Sequence, residues 1–315
     1  MTADGPARVR LFPGDAGHLV AEVRQAWPAA EIQVSGYDDG FDVALVWDAD
    51  GAETACFAAR QNRLRWLHTR ASGVPAQLAS ALRDRDTLVT NGAGTHGLAV
   101  AEHVASLILA HYRRLSDLLD AQRESRWQPP PAQEVRGKTV GVIGLGDLGR
   151  STARLLTALG AVVVGLRRGH GDVPEVHRTY RADGLAEFLG QLDALVIAAP
   201  LTVQTRSMIG ERELALLPRG AYLVNVGRGP IVREEALVSA LESGHLAGAA
   251  LDVFAAEPLP ASSLLWSLPG VVVTPHCADS TEQTDQRCLD LLLEQIRRYR
   301  SGRRPHNAVD LARGY

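Results

Sequence analysis

Val140-Gly141-Val142-Ile143-Gly144-Leu145-Gly146-Asp147-Leu148-Gly149 is the stretch that decides the fold. Its first four residues have the length and apolar character of a buried strand. The rest satisfies G-x-G-x-x-G, in which Gly144 allows a tight turn, Gly146 lets the backbone approach a pyrophosphate, and Gly149 lets a helix pack on the strand. Such a hexapeptide alone is equally at home in a glycine-rich turn. Here a strand precedes it, a helical pattern over Asp147–Leu159 follows, and a second apolar run, Ala161–Leu166, comes next, which is the context a dinucleotide site requires. The helix would aim its N-terminal amides and positive dipole end at the phosphates, with Asp147 and Leu148 at its start.

Working outward, short apolar runs alternate with helical patterns along the whole chain, the signature of parallel α/β units. Upstream, Arg8–Phe12, Glu31–Val34, Asp42–Val46, Leu64–His68 and Thr87–Thr90 read as strands, with helices including Gly17–Trp27 and Pro75–Leu82 between them. Downstream, the strands are Thr139–Ile143, Ala161–Leu166, Ala194–Ala198, Tyr222–Asn225, Ala249–Val253 and Val271–Thr274. A long amphipathic pattern, His96 to Leu119, carries Val100, Val104, Leu107, Ile108 and Leu115 on one stripe. The Trp127-Gln128-Pro129-Pro130-Pro131 segment then interrupts regular structure. A last helix is expected over Thr281–Tyr299; it has no following strand, so it can cap the second unit or cross back to the first. The expected fold is therefore α/β, with two doubly wound parallel-sheet domains of Rossmann-like or flavodoxin-like type.

A chain of 315 residues is long enough for two such domains, at roughly 100–200 residues each. A net charge of −3 offers no basic field for nucleic acid or a membrane surface. Lys138 is the only lysine and lacks P-loop spacing, which excludes that motif. Cys56, Cys277 and Cys288 are odd in number and contain no CxxC, a reduced-compartment pattern without a zinc site. Met1 to Pro13 has charges and no long apolar run, so no secretory signal is expected and the chain reads as cytoplasmic.

The end of the strand that follows the glycine loop, Ala161–Leu166, bears on the choice of coenzyme. NAD-preferring Rossmann proteins place an acidic residue there for the ribose 2′-hydroxyl. This chain has Arg167 and Arg168, two guanidiniums suited to a 2′-phosphate, although a solvated surface pair would look the same. The reading favours NADP(H), with NAD(H) as the alternative.

Three further segments bring reactive side chains to strand ends, the edge that faces ligand in open parallel sheets. Arg228 lies in Asn225-Val226-Gly227-Arg228-Gly229-Pro230, Glu257 in Leu251-Asp252-Val253-Phe254-Ala255-Ala256-Glu257-Pro258, and His276 in Thr274-Pro275-His276-Cys277. A cation, a carboxylate and an imidazole on one edge make an anion clamp with an acid–base pair. Hydride delivery to C2 of a 2-oxo acid builds negative charge on the carbonyl oxygen. An imidazolium can protonate that oxygen, and a guanidinium can grip the carboxylate in two-point geometry.

GKTVGVIGLGDLGR, LVNVGRGPIVREEALVSALESGHLAGAALDVFAAEPLP and LWSLPGVVVTPH, preceded by TNGAGTHGLAVAEHVASLILA, resemble the D-isomer-specific 2-hydroxyacid dehydrogenase family in wording, order and separation. The resemblance spans about Leu64 to Ile296. It implies that Arg228 binds the substrate carboxylate and polarises its carbonyl, that His276 is the proton donor, and that Glu257 hydrogen-bonds that histidine. It likewise implies that Ser72 and Gly73, in Ala71-Ser72-Gly73-Val74, hold the carboxylate by backbone amides. Pro200 and Thr205 would line the diphosphate and ribose, and Val226 and Asp252 the nicotinamide end. Residues 1–98 with 281–315 would form the substrate domain and 99–280 the NAD(P) domain, with a cleft between them and a homodimer through the cofactor domains.

Other residues take plainer readings. His96, His103 and His111 share one helical pattern without HExxH spacing and are expected to be structural, with no metal. Cys277 reads as a small half-buried filler, Arg113 and Arg114 as solvent-facing, and the Val100–Ile108 stripe as core or dimer interface. Asp252 could simply terminate its strand. The resulting expectation is an enzyme moving a hydride between NADP(H) and a small 2-oxo or D-2-hydroxy acid. Its rival is a non-catalytic nucleotide-sensing interaction protein, because some corepressors resemble the same family.

Overall fold

The computed structural model describes residues 7–12, 17–35, 38–47 and 51–311. Residues 1–6 and 13, on which part of the signal-sequence reading fell, lie outside them. The chain divides into two units, Met1–His96 with Thr281–Tyr315, and Gly97–Ser280.

In the first unit, strands β1 (Ala7–Phe12), β2 (Ala30–Gln33), β3 (Val43–Val46), β4 (Trp66–Thr69) and β5 (Leu88–Thr90) form one sheet in the order β2-β1-β3-β4-β5. Every pairing is parallel. Strand alternation sends successive side chains to opposite faces. Val9, Leu11 and Trp66 therefore pack with Leu19 and Val23 of helix α1 (Gly17–Ala26), with Trp27 just beyond it, and with Leu292 and Ile296 of the chain's closing helix, Glu282–Arg300. Phe12, Ala44 and Leu67 face Phe57 of α2 (Gly51–Arg60) and Leu78 and Leu82 of α3 (Ala76–Leu82). The closing helix contributes to this unit's core, with Thr281 capping it through Thr284 N–H at 3.1 Å.

The second unit opens with α4 (Gly97–Tyr112) and α5 (Leu115–Arg123). The single long helix expected over His96–Leu119 is thus two. Arg114 takes φ 55°, the left-handed region, and breaks it. Val100, Val104, Leu107 and Ile108 are buried against the sheet, whereas Leu115, beyond the break, is 47% exposed. The seven strands are β6 (Thr139–Ile143), β7 (Val162–Leu166), β8 (Arg178–Tyr180), β9 (Ala194–Ile197), β10 (Ala221–Asn225), β11 (Leu246–Leu251) and β12 (Val271–Val273). They run all parallel in the order β12-β11-β10-β9-β6-β7-β8. Helices α4 and α6 (Asp147–Ala158) cover one face; α7 (Leu185–Leu189), α8 (Glu211–Leu216) and α9 (Glu234–Glu242) cover the other.

One strand was not anticipated from sequence, and one expected strand is shifted. β8 is an edge strand whose Arg-Thr-Tyr carries no apolar run, and backbone pairing with β7 makes it a strand. β11 runs from Leu246, which pairs with Ala221 ahead of a register shift, to Leu251, so it starts and ends earlier than the expected Ala249–Val253.

Candidate active site

The chain crosses from β6 to β7 on one side and returns to β9 on the other, so β6 is the switch point where parallel sheets open a ligand crevice at their carboxyl ends. The glycine loop sits there. Gly144 has φ 93° and lies so near Ala199 that a Cβ would come within 2.7 Å of its backbone. A Cβ on Gly149 would fall 1.9 Å from the Gly144 carbonyl oxygen. Gly146, the N-cap of α6, is exposed, and a Cβ there would meet open space. Two glycines thus permit the turn and its packing, and the third leaves a cradle open in front of the helix amides. That arrangement fits a pyrophosphate. Asp147 does not face outward only: its Oδ2 accepts Gly97 N–H at 3.0 Å and fastens α4 to the loop. Leu148 is half-buried against the core.

Arg167 directly follows β7, and its amide pairs with the Tyr180 carbonyl at 3.0 Å, which anchors it at the strand end; Arg168 beside it is exposed. In the loop after β9, Thr205 Oγ donates to the Pro200 carbonyl at 2.7 Å and accepts Thr202 N–H at 2.7 Å. Thr205 and Pro200 therefore fix each other. Val226 is buried, with its amide on Ile197 O.

The reactive trio follows β10, β11 and β12, three neighbouring strands. Asn225 is buried and organises the first turn. Its Oδ1 accepts Gly227 N–H at 3.1 Å and its Nδ2 donates to Arg228 O at 3.2 Å. A Cβ on Gly229 would overlap Phe254 at 1.9 Å, which explains the glycine after the arginine. Arg228 Nη1 donates to Gly227 O at 2.6 Å.

Glu257 and His276 do meet, with His276 Nδ1 2.7 Å from Glu257 Oε2. The other oxygen, Oε1, accepts Phe254 N–H at 2.8 Å and fixes the carboxylate. Because a carboxylate only accepts, the hydrogen lies on Nδ1, which leaves Nε2 for proton exchange. The side chains are 46% and 35% exposed, open enough to reach a substrate.

Asp252 is 2% exposed, and three protein donors hold its carboxylate: Thr274 Oγ (2.6 Å), Cys277 N–H (3.0 Å) and Ala278 N–H (3.0 Å). Burial, then the Asp252 carboxylate beside it, push the Cys277 thiol up, away from thiolate reactivity. Sequence reasoning missed Asn225 and Thr274. Both lie inside the quoted motifs, but a polar residue at a strand end carries no mark of which turn it will fasten. His111 stacks on Tyr222 at 3.8 Å between centroids, and burial followed by Arg114 brings it down to about 4, so it stays neutral.

In the first unit, Ala71–Val74 follows β4. The Ala71 carbonyl accepts Gly92 N–H at 3.0 Å and the Ser72 carbonyl accepts Asn91 Nδ2 at 2.8 Å. In a trans peptide the N–H opposes the C=O, so the amides of Ser72 and Gly73 point away from the β5 loop. Nearby, His96 Nε2 is held by Arg70 O at 2.9 Å.

A glycine-looped parallel sheet with a carboxylate-held imidazole and a guanidinium on one rim is the equipment of a dinucleotide-linked oxidoreductase. Residues 105–278 match the profile of the D-isomer specific 2-hydroxyacid dehydrogenase, NAD binding domain. Glyoxylate/hydroxypyruvate reductase A of Serratia proteamaculans is 32% identical over 312 residues, 96% of this chain and 97% of that protein. A D-isomer specific 2-hydroxyacid dehydrogenase from Xanthobacter autotrophicus, solved with NADPH and MES, is 34% identical with a TM-score of 0.85, covering 98% of this chain and 99% of that one. The NADPH-dependent glyoxylate/hydroxypyruvate reductase of Sinorhizobium meliloti, solved with NADP and sulfate, is 30% identical with a TM-score of 0.85, over 99% and 100% of the two chains. The chain belongs to the D-isomer specific 2-hydroxyacid dehydrogenase family.

Proposed function

We propose that this enzyme reduces small 2-oxo acids of the glyoxylate and hydroxypyruvate class to D-2-hydroxy acids, with NADPH preferred over NADH. The observation that carries the reading is the 2.7 Å contact between His276 Nδ1 and Glu257 Oε2, on the rim that also bears Arg228. When bound, NADPH supplies the hydride. The open Gly146 cradle and the α6 amides would hold its pyrophosphate, Arg167 and Arg168 its 2′-phosphate, and the loops of Pro200, Thr205, Val226 and Asp252 the rest. NADP(H) in the relatives from Xanthobacter and Sinorhizobium supports that preference.

On the substrate, Arg228 would clamp the carboxylate and draw charge onto the carbonyl oxygen, aided by the Ser72 and Gly73 amides. His276 would deliver a proton from Nε2 to that oxygen, and Glu257, 2.7 Å from Nδ1, would hold the plane of the ring. Reduction takes this proton from Nε2, and hydroxy-acid oxidation returns one to it. A homodimer and a cytoplasmic setting complete the reading, the second in keeping with the free cysteines Cys56, Cys277 and Cys288.

The test crosses NADPH and NADH with glyoxylate, hydroxypyruvate, pyruvate and phenylpyruvate, following absorbance loss of the reduced coenzyme. NADPH-dependent turnover, reduced about 10²–10⁴-fold by His276→Gln, is expected. Binding of NADPH without turnover of any 2-oxo acid would instead identify a nucleotide-sensing interaction protein.

A further inference from the structure

We infer that His103, on α4, is a positioning residue for the proton transfer at His276, acting through Thr274 and Asp252; the inference rests on the function proposed above. It starts from the backbone of His276, whose φ of 51° lies in the left-handed region. That conformation is unfavourable for a residue with a Cβ and persists only where neighbouring bonds enforce it. Here one buried carboxylate enforces it from both sides. Asp252 Oδ1 takes the Thr274 hydroxyl at 2.6 Å, ahead of His276, and Cys277 N–H at 3.0 Å, behind it. Oδ2 takes Ala278 N–H at 3.0 Å.

The Thr274 hydroxyl has one hydrogen, and that hydrogen goes to Asp252, which can only accept. His103 Nε2 lies 3.2 Å from the same hydroxyl oxygen and must therefore donate to it. The same ring nitrogen is 3.8 Å from Asp252 Oδ1 and is only 19% exposed as a side chain, so its field reaches the carboxylate with little water between. A directed chain results, from His103 Nε2–H to Thr274 Oγ–H to Asp252, and from Asp252 to the two amides behind His276. Its origin is rigid, because α4 packs Val100, Val104, Leu107 and Ile108 into the sheet core. His103 thus uses a core-packed helix to set the hydroxyl that sets the carboxylate that fixes the turn of the imidazole.

Removing the donor takes away one of the two bonds that fix Thr274 Oγ and loosens the turn, while the glycine loop, built on β6, keeps its own bonds. The effect should fall on kcat more than on the KM for NADPH, whose phosphates are assigned to Gly146, Arg167 and Arg168, away from this turn. The experiment compares His103→Leu with His103→Gln, whose amide returns an N–H near Nε2, and Thr274→Val with Thr274→Ser. Two readouts are used. One is the imidazole resonances of His276 in ring-labelled, substrate-free enzyme, assigned by their loss in His276→Gln. The other is the kcat and KM of each variant.

His103→Leu should displace the His276 resonances and lower kcat about tenfold, the scale of one lost hydrogen bond, with the KM for NADPH within about twofold. His103→Gln should recover most of both, and the threonine pair should repeat the pattern. Unmoved His276 resonances in His103→Leu, or equal losses in the Leu and Gln variants, would overturn the inference. Should His103→Leu not fold, the Thr274 pair decides. An absence of wild-type turnover would sink the proposed function, and the resonance comparison would still decide the role of His103.

Discussion

Substituting alanine at two glycines of one loop should separate packing from coenzyme binding. At Gly149 the added Cβ would lie 1.9 Å from Gly144 O, 3.0 Å from Gly144 C and 3.1 Å from Val142 Cγ1. Ordinary contacts begin near 3.4 Å, so α6 would have to retreat from β6 by more than an ångström, and no side-chain rotation can relieve a clash with backbone. Overpacking of this kind costs about 1–3 kcal/mol, and the rigid neighbour puts Gly149→Ala near the top of that range. In a unit of this size that corresponds to a fall in Tm of roughly 6–12 °C. At Gly146 the same Cβ meets nothing within 4 Å, and φ −83° suits alanine, so Tm should move by less than about 2 °C. The methyl would instead stand where the phosphates approach the α6 amides. Disturbing one or two charge-assisted hydrogen bonds, each worth about 1.5–3 kcal/mol, should weaken NADPH binding at least tenfold. Differential scanning calorimetry and titration of NADPH fluorescence measure the two quantities. Undiminished NADPH affinity in Gly146→Ala, or a Tm loss there equal to that of Gly149→Ala, would refute this assignment of the loop.

Two further outcomes follow. Arg167→Ala combined with Arg168→Ala should raise the KM for NADPH at least tenfold and leave that for NADH within about twofold; equal losses for both coenzymes would remove the 2′-phosphate grip. His68 is buried on β4 with Nδ1 2.9 Å from Thr90 Oγ, and burial brings it from 6.5 down to about 4, so between those pH values the unfolded chain binds a proton that the folded one does not. Stability should therefore decline as pH falls through that window, by up to about 3 kcal/mol, and urea midpoints should decline less steeply for His68→Gln than for wild type.

The parts of the molecule that could be read from sequence are those where one residue type has one physical use. Buried parallel strands announce themselves as apolar runs, so β6, β7, β9 and β10 were legible within a residue or two, and the glycine loop marked its own turn. β8 was not, because Arg178-Thr179-Tyr180 becomes a strand through pairing with β7 and carries no pattern of its own. The break at Arg114 was hidden for a related reason. Apolar spacing continues through Leu115, and nothing local forbids a helix there, but the chain turns left-handed after α4 has buried its stripe. At the candidate site, His276 and Glu257 stood out as reactive types beside strand ends. Asn225 and Thr274 did not, since their work is to satisfy particular backbone groups and only the folded turn reveals which. Asp252 shows the limit from the other side: the family resemblance points its carboxylate at the coenzyme, and the structure spends three of its bonds on the turn that carries His276.

The strand order also makes coenzyme choice and proton transfer separable. Arg167 stands at the end of β7 and His276 at the end of β12, and the order β12-β11-β10-β9-β6-β7 puts five strand spacings between them. At about 4.8 Å each this is roughly 24 Å, well beyond the Debye length of about 8 Å at physiological ionic strength. Substitutions so far apart, with no shared partner, should add within about 0.5 kcal/mol. The double variant Arg167→Ala with His276→Gln should therefore lose kcat/KM for NADPH by the product of the single losses. Glu257 and His276, 2.7 Å apart, are the opposite case. Once His276→Gln has removed the proton donor, Glu257→Gln has little left to orient, so that pair should fall far short of the product. Coupling above about 1 kcal/mol between Arg167 and His276, or full additivity between Glu257 and His276, would contradict a site in which one end of the sheet selects the coenzyme and the other moves the proton.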